Sequence, residues 1–396
     1  MGRVALLLFV MGCGFSSPRG GDDDGATDAP PGGTPDGEDP LCAPWPSRGG
    51  HLKDPCDVAP KGSWQISDAG GTYNTDDGMF FDGTKPNSKL VAMPGSLQMR
   101  VVSVNSFGVA GGASLRVVGQ FPLLVLSWST IDVAGTIDVS SQRASGRGAG
   151  ANLAGCQMPG DGVGTMNAGG GGGGGYSVMG GVGGEGNQGN NNGGQEAGSI
   201  GRPKFVVRGG CPGGAGGTGA GAAPGGDGGG AIQLTAKTAI TITGRIHAGG
   251  MGGQGAITAG TGGGGGGGSG GFIGLDAPQV TAGASSVLAA NGGGGGAGCQ
   301  AGGVGGAGQD GQLANVAATG GSGSGCSNGV SGGTGSALAT ITAGDGTPGF
   351  NAGGGGGGGG IGYIVVWTPS AADFIKETGA IVTPAEAPVT MREMQP

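Results

Sequence analysis

Residues 122–139, PLLVLSWSTIDVAGTIDV, decide the fold, because they lie on residues 231–248, AIQLTAKTAITITGRIHA, at one constant offset. Leu123 falls on Ile232, Val125 on Leu234, Ile131 on Ile240, Val133 on Ile242, Gly135 on Gly244 and Ile137 on Ile246. Within each copy apolar and polar residues alternate at period two and Gly marks the turns, which is the pattern of short strands. A third copy, FIGLDAPQVTAGASSVLAANGG from Phe272, places Ile273 on Ile232 and, after small shifts, Leu288 on Ile246; IGYIVVWTP from Ile361 reads as a truncated last copy. Repeated strand units that cannot bury an apolar face alone do so by stacking. The expected fold is therefore all-β, a parallel β-helix-like solenoid. The only helical pattern is Ala371–Glu377.

Between the copies the chain is mostly glycine, 110 of 396 residues. Three tracts run directly into strand sequence: GGDGGGAIQLTA from Gly225, GGGGGGGSGGFIGLDAPQV from Gly262 and GGGGGGGGIGYIVVW from Gly353. Where other residues interrupt them, Gly recurs every third position, as at Gly180, Gly183, Gly186 and Gly189, or Gly302, Gly305, Gly308 and Gly311. Three residues per turn is the polyproline II period, and Gly at the crowded position lets such strands lie side by side. The prolines mostly fall outside these tracts, which excludes a collagen triple helix. Polyglycine II strands packed on the solenoid are the expectation. Ordering a residue costs about 1–2 kcal/mol, while one hydrogen bond and one Cα–H contact return about as much, so the Gly strands need the β strands as a clamp. Gly353–Gly360 would span about 25 Å, enough to leave the solenoid and re-enter it as the next strand.

The N-terminus has an export pattern. Arg3 precedes the apolar residues Val4–Met11, and Val10-Met11-Gly12-Cys13 resembles a bacterial lipobox, which implies acylation at Cys13. Residues 14–60, rich in Pro, Gly and acidic side chains, read as a self-repelling tether. The expected organisation is a signal peptide and lipobox at 1–13, the tether at 14–60, an N-terminal β cap at 61–95, the Gly-rich solenoid at 96–368 and a C-terminal tail at 369–396. From Ser96 to Thr368, phrases such as SFGVAGGASLRVVGQF and GGGGSGGFIGLDAPQV resemble those of Gly-rich bacterial cell-surface lipoproteins that join β-helical coils to Gly-rich excursions. That resemblance implies a surface location and no catalytic residue.

The chemistry-bearing residues are few. His51 and His247 are the only histidines, so a multi-His metal site cannot be built. The G-x-S-x-G matches at Gly267–Gly271 and Gly329–Gly333 lack the strand-to-helix elbow that the motif needs. The repeat places His247 over Asp138 and Thr241 over Asp132, an arrangement a β-helical glycan-active enzyme could use as acid and base, and equally that of solvent-facing polar residues. Trp128 and Trp367 could stack on sugar rings or cap the core. Asp22-Asp23-Asp24, the Gly305–Asp310 stretch and the set Asp76, Asp77 and Asp82 are carboxylates that could meet calcium or serve spacers and turns. Thr241-Ile242-Thr243 and Thr340-Ile341-Thr342 are fragments of the threonine array that ice binding would want.

Seven cysteines occur, and setting aside Cys13 leaves six in an oxidising compartment. Pairing in sequence order is expected: Cys42 with Cys56, Cys156 with Cys211 and Cys299 with Cys326, the last two closing Gly-rich excursions. With a net charge of −8, nucleic acid and anionic lipid surfaces are not expected partners. No catalytic residue, metal or cofactor is expected. The function expected is that of an exported structural or adhesive protein, lipid-anchored at the outer membrane or cell surface of a Gram-negative bacterium. Its partners would be the membrane through its anchor, and a surface polysaccharide or another surface protein. An ice- or glycan-binding module and a glycan-active enzyme are the alternatives.

Overall fold

A computed structural model describes residues 58–390 apart from 68–69, 188, 190–191, 202–205, 218–221, 258–261, 301–302, 338–342 and 386. These fall in one of the chain's two units, Pro44–Pro396; the other, Met1–Ala43, lies outside the described residues. Strands β8 (Leu123–Ser127), β9 (Thr130–Val133) and β10 (Thr136–Asp138) each join a different sheet. The next three strands, β11 (Ala231–Ala236), β12 (Ala239–Ile242) and β13 (Arg245–His247), visit the same sheets in the same order. Each pairs in parallel with its counterpart one circuit earlier, Leu123 opposite Ile232, Ile131 opposite Ile240 and Ile137 opposite Ile246. This register coincides with the sequence repeat, because a stacked position keeps its inward or outward sense from one circuit to the next.

The rotation continues through β14 (Phe272–Asp276), β15 (Gln279–Ala282) and β16 (Val287–Ala289). It begins earlier, with β5 (Leu97–Val104), β6 (Phe107–Val109) and β7 (Ser114–Val118). Ahead of these, β1 (Trp64–Ile66) and β2 (Gly71–Asn74) pair in parallel with β6 and β7, while β3 (Met79–Phe80) and β4 (Ser88–Met93) close two sheets as antiparallel edges. Inward-facing Val125, Leu234, Leu275 and Val366 from one sheet meet Ile131, Ile240 and Val280 from the second and Ile137, Ile246 and Leu288 from the third in one core. The outer face of the first sheet is buried too, where Leu124, Leu126, Phe272 and Trp367 pack with Tyr176 and Val207. Burial on both faces explains the continuous apolar runs LLVL and YIVVW.

Two sequence expectations are corrected here. Ala371–Glu377 is not a helix: a single 3-10 turn, Ala371–Asp373, leads into β18 (Phe374–Lys376), which pairs in parallel with β15. Seven residues cannot hold a helix unaided, and sheet pairing prevails over local propensity. Nor is the last repeat truncated: the described residues after 368 carry further strands. After β17 (Tyr363–Thr368), β18 and β19 (Ile381–Thr383) complete the circuit, and β20 (Ala387–Thr390) begins another.

The Gly-rich segments occupy residues 139–230, 248–271 and 290–362, and each leaves after a strand of one sheet (β10, β13, β16) and returns as a strand of another (β11, β14, β17). All three therefore emerge at the same corner of successive circuits and lie together. Their hydrogen bonds rotate with period three. The N–H groups of Gly264, Gly267 and Gly270 donate to Gly354, Gly357 and Gly360; those of Gly265, Gly268 and Gly271 to Gln254, Met251 and Ala248; those of Gly266 and Ser269 to Gly214 and Cys211. The carbonyls of the same strand accept from Gly171 and Gly174, from Gly296 and Gly293, and from Gly226 and Gly229. One strand thus has six hydrogen-bonded neighbours. At Gly266 a Cβ would collide with the Gly172 carbonyl, so only glycine fits.

Candidate functional site

Polar side chains gather where β7, β10 and β13 run side by side. Asp138 stands opposite Arg116 on one neighbour and His247 on the other. Arg116 Nη1 lies 3.0 Å from Asp138 Oδ1, the Ser140 N–H donates to the same oxygen at 2.9 Å, and Gln142 Nε2 donates to Oδ2 at 3.1 Å. His247 Nδ1 is 3.7 Å from Asp138, while Nε2 bonds the Gly311 carbonyl at 2.9 Å. A carbonyl only accepts, so Nε2 carries the proton. Burial pulls the His247 pKa below its ordinary value, and the Asp138 carboxylate opposes that pull.

The sequence thus placed Asp138 and His247 together correctly, but Arg116, Ser140 and Gln142 occupy the carboxylate. Acid–base glycoside cleavage uses two carboxyl groups facing one bond, about 5–9.5 Å apart. Asp132 is on another sheet, opposite Thr241 and Gly108. The cluster acts as a clasp, tying the exit of the first excursion to the start of the second and, through Gly311, to the third.

The remaining sequence candidates are also structurally engaged. Trp367 is buried beside Phe272, with ring centroids 6.3 Å apart, and Trp128 donates to Ser103 Oγ at 3.1 Å beneath Lys237. Asp77 and Asp82 accept the N–H groups of Met79 and Thr84 two residues on, and Asp76 accepts that of Gln120. Asp310 accepts from Gly252 and Arg143, and Ser269 of the first G-x-S-x-G match is fully buried and accepts the Cys211 N–H at 2.8 Å. Thr241 stands opposite Thr281, a two-residue step of threonine. The structure joins Cys156 to Cys211, with Cα atoms 5.5 Å apart, and Cys299 to Cys326, 5.6 Å apart. Cys13, Cys42, Cys56, His51, Asp22–Asp24 and Thr340–Thr342 lie outside the described residues.

One surface went unnoticed in the sequence. Near the outer turns of the Gly strands, Gly354 donates to Ala168, Gly353 to Cys299, Cys299 to Gly262, Ala256 to Ala297 and Gly305 to Ala256, which brings these turns to one level. Within a few residues of that level stand Val163, Met166, Ile257, Val304 and Phe350, exposed by 64, 81, 41, 59 and 71%. Large apolar residues at loop tips, amid sequence otherwise made of small residues, were the available signal. They come from all three excursions, so they share one end only once the chain has folded. Set against known protein families, curated proteins and solved structures, the chain matches none of them.

Proposed function

We propose that the chain is a parallel β-solenoid bearing an intramolecular polyglycine II bundle, exported and lipid-anchored through Cys13, and that it serves as a structural or adhesive protein at the surface of a Gram-negative bacterium. The observation that carries this reading is the shared outer end of the Gly strands, where Val163, Met166, Ile257, Val304 and Phe350 stand exposed near hydrogen-bonded turns. Exposed apolar side chains gathered at one place favour contact with a partner. The rotating three-residue hydrogen-bond pattern supports polyglycine II, and the two disulfides support an oxidising compartment.

The test replaces these five residues by serine in the full-length chain displayed on cells, and scores cell–cell aggregation and adherence to polystyrene. Adherence should fall several-fold while the melting temperature holds. Undiminished adherence by the five-residue variant would remove the tips as the contact surface.

A further inference from the structure

Ahead of β6, between β1, the β2–β3 turn and the loop into β4, lies a cavity of about 710 Å³. That size suits a small-molecule ligand. In a chain of net charge −8, three cations, Lys61, Lys85 and Arg100, line it, with Asp77 the single acid in its wall. Asp77 is already engaged by the Met79 N–H.

Arg100 is the anchor. It is only 8% exposed, and its Nε and Nη2 donate to the carbonyls of Thr75 and Asp76, both at 2.8 Å. No carboxylate among the described residues stands within ion-pair distance of it. A guanidinium withdrawn from water onto neutral carbonyls keeps an uncompensated charge, and the hydrogens of its Nη1 together with the second hydrogen of Nη2 suit a carboxylate or sulfate. Around it the wall carries the neutral polar side chains of Ser63, Gln65, Asn87 and Ser88; Asn87 already donates to the Ala59 carbonyl, and Ser63 and Gln65 already bond Ser106, which leaves each with further hydrogen-bonding capacity. Trp64 lends no stacking face, since its ring is packed 5.1 Å from both Tyr73 and Phe107, which disfavours a nucleobase.

We infer that this cavity binds an anionic saccharide, its acidic group on Arg100, Lys61 and Lys85 and its hydroxyls on the neutral polar wall. The inference does not depend on the adhesive reading, because it uses none of the residues at the outer turns.

Calorimetric titration of the full-length chain tests it, with trigalacturonate, a sulfated disaccharide and neutral galactotriose as probes. At least one acidic probe should bind, galactotriose at least about tenfold more weakly. Lys61→Gln with Lys85→Gln should weaken the acidic probe roughly tenfold, as expected from losing two partly exposed charge contacts, with unchanged melting. Arg100→Lys, which keeps the charge and loses the fork, should weaken it further. Whether the uronate or the sulfate binds more tightly identifies the acid. Equal binding of neutral and acidic probes, binding by none, or indifference to the double lysine variant would overturn the proposal.

Discussion

Gly266→Ala tests the six-neighbour arrangement at its centre. The added methyl would meet the carbonyl of Gly172, which already accepts the Gly214 N–H at 2.8 Å. Gly266 itself donates to Gly214 and accepts from Gly226, both at 2.8 Å. Moving either strand aside to admit the methyl puts these three buried bonds at risk. At about 1–2 kcal/mol for each bond broken or badly stretched, the cost is about 3–6 kcal/mol. In a chain of this size that lowers the melting temperature by about 4–8 °C. The control is Gly111→Ala, where a Cβ meets nothing within 4 Å and the backbone is not left-handed. That change should be neutral or stabilise by up to about 1 kcal/mol through the unfolded chain. Circular dichroism melting, with amide exchange at the Gly strands, reads both. A Gly266→Ala protein melting within about a degree of wild type would refute the close packing.

Three further outcomes are expected. Replacing Cys156 and Cys211 by serine opens a loop with a sequence separation of 55 and should cost about 4 kcal/mol, and the Cys299–Cys326 pair, separated by 27, about 3.5 kcal/mol; non-reducing peptide maps and melting curves check both. Burial holds the His247 pKa below its ordinary 6.5, so the unfolded chain takes up that proton first. Stability from this group is complete above about pH 6.5 and falls as pH drops below it, and His247→Gln should flatten that part of the melting-temperature profile. For the proposed lipid anchor, Cys13→Ala should move the protein from the membrane fraction to the soluble exported fraction, and acylated Cys13 should appear in mass spectra of the mature N-terminus.

The circuits were legible because stacking demands the same kind of residue at the same place in each copy. Ile131, Ile240 and Val280 occupy consecutive rungs of one sheet, and the alignment of isoleucine on isoleucine is a direct trace of that contact. β18 and β19 were not legible. Each is three residues long, and three residues hold too little alternation to stand out; their strand character is imposed by β15 and β16 alongside. The Gly strands had a legible period but no legible partners. In a run such as GGGGGGG every position is alike, so nothing in it could reveal that Gly264 pairs with Gly354 rather than with Gly296. At the polar cluster, Asp138 and His247 are brought together by the repeat, while Arg116 is not legible because SLRVV lies outside the copies that align at one constant offset. Arg116 is the residue that changes the reading, from a free carboxylate to an engaged one.

The six-neighbour strand also bears on where function can reside. A strand in a sheet uses its two edges for hydrogen bonds and keeps two faces, and the ~10 Å gap between stacked sheets leaves room for side chains. Residues 264–271 donate to three neighbours and accept from three others, so no direction remains for a side chain larger than Ser269, whose hydroxyl is itself spent on the Cys211 N–H. The interior of the bundle therefore holds backbone and almost nothing that could distinguish one ligand from another. Both proposed contact sites lie where the crowding ends. One such place is the set of outer turns bearing Met166 and Phe350; the other is the cap ahead of β5, where β3 and β4 pair with one neighbour each and the cavity around Arg100 opens. Substitutions at those two places should alter binding with little change in melting, whereas substitutions at Gly266 or its neighbours should do the reverse. That division separates a scaffold with attached sites from a protein whose core performs chemistry.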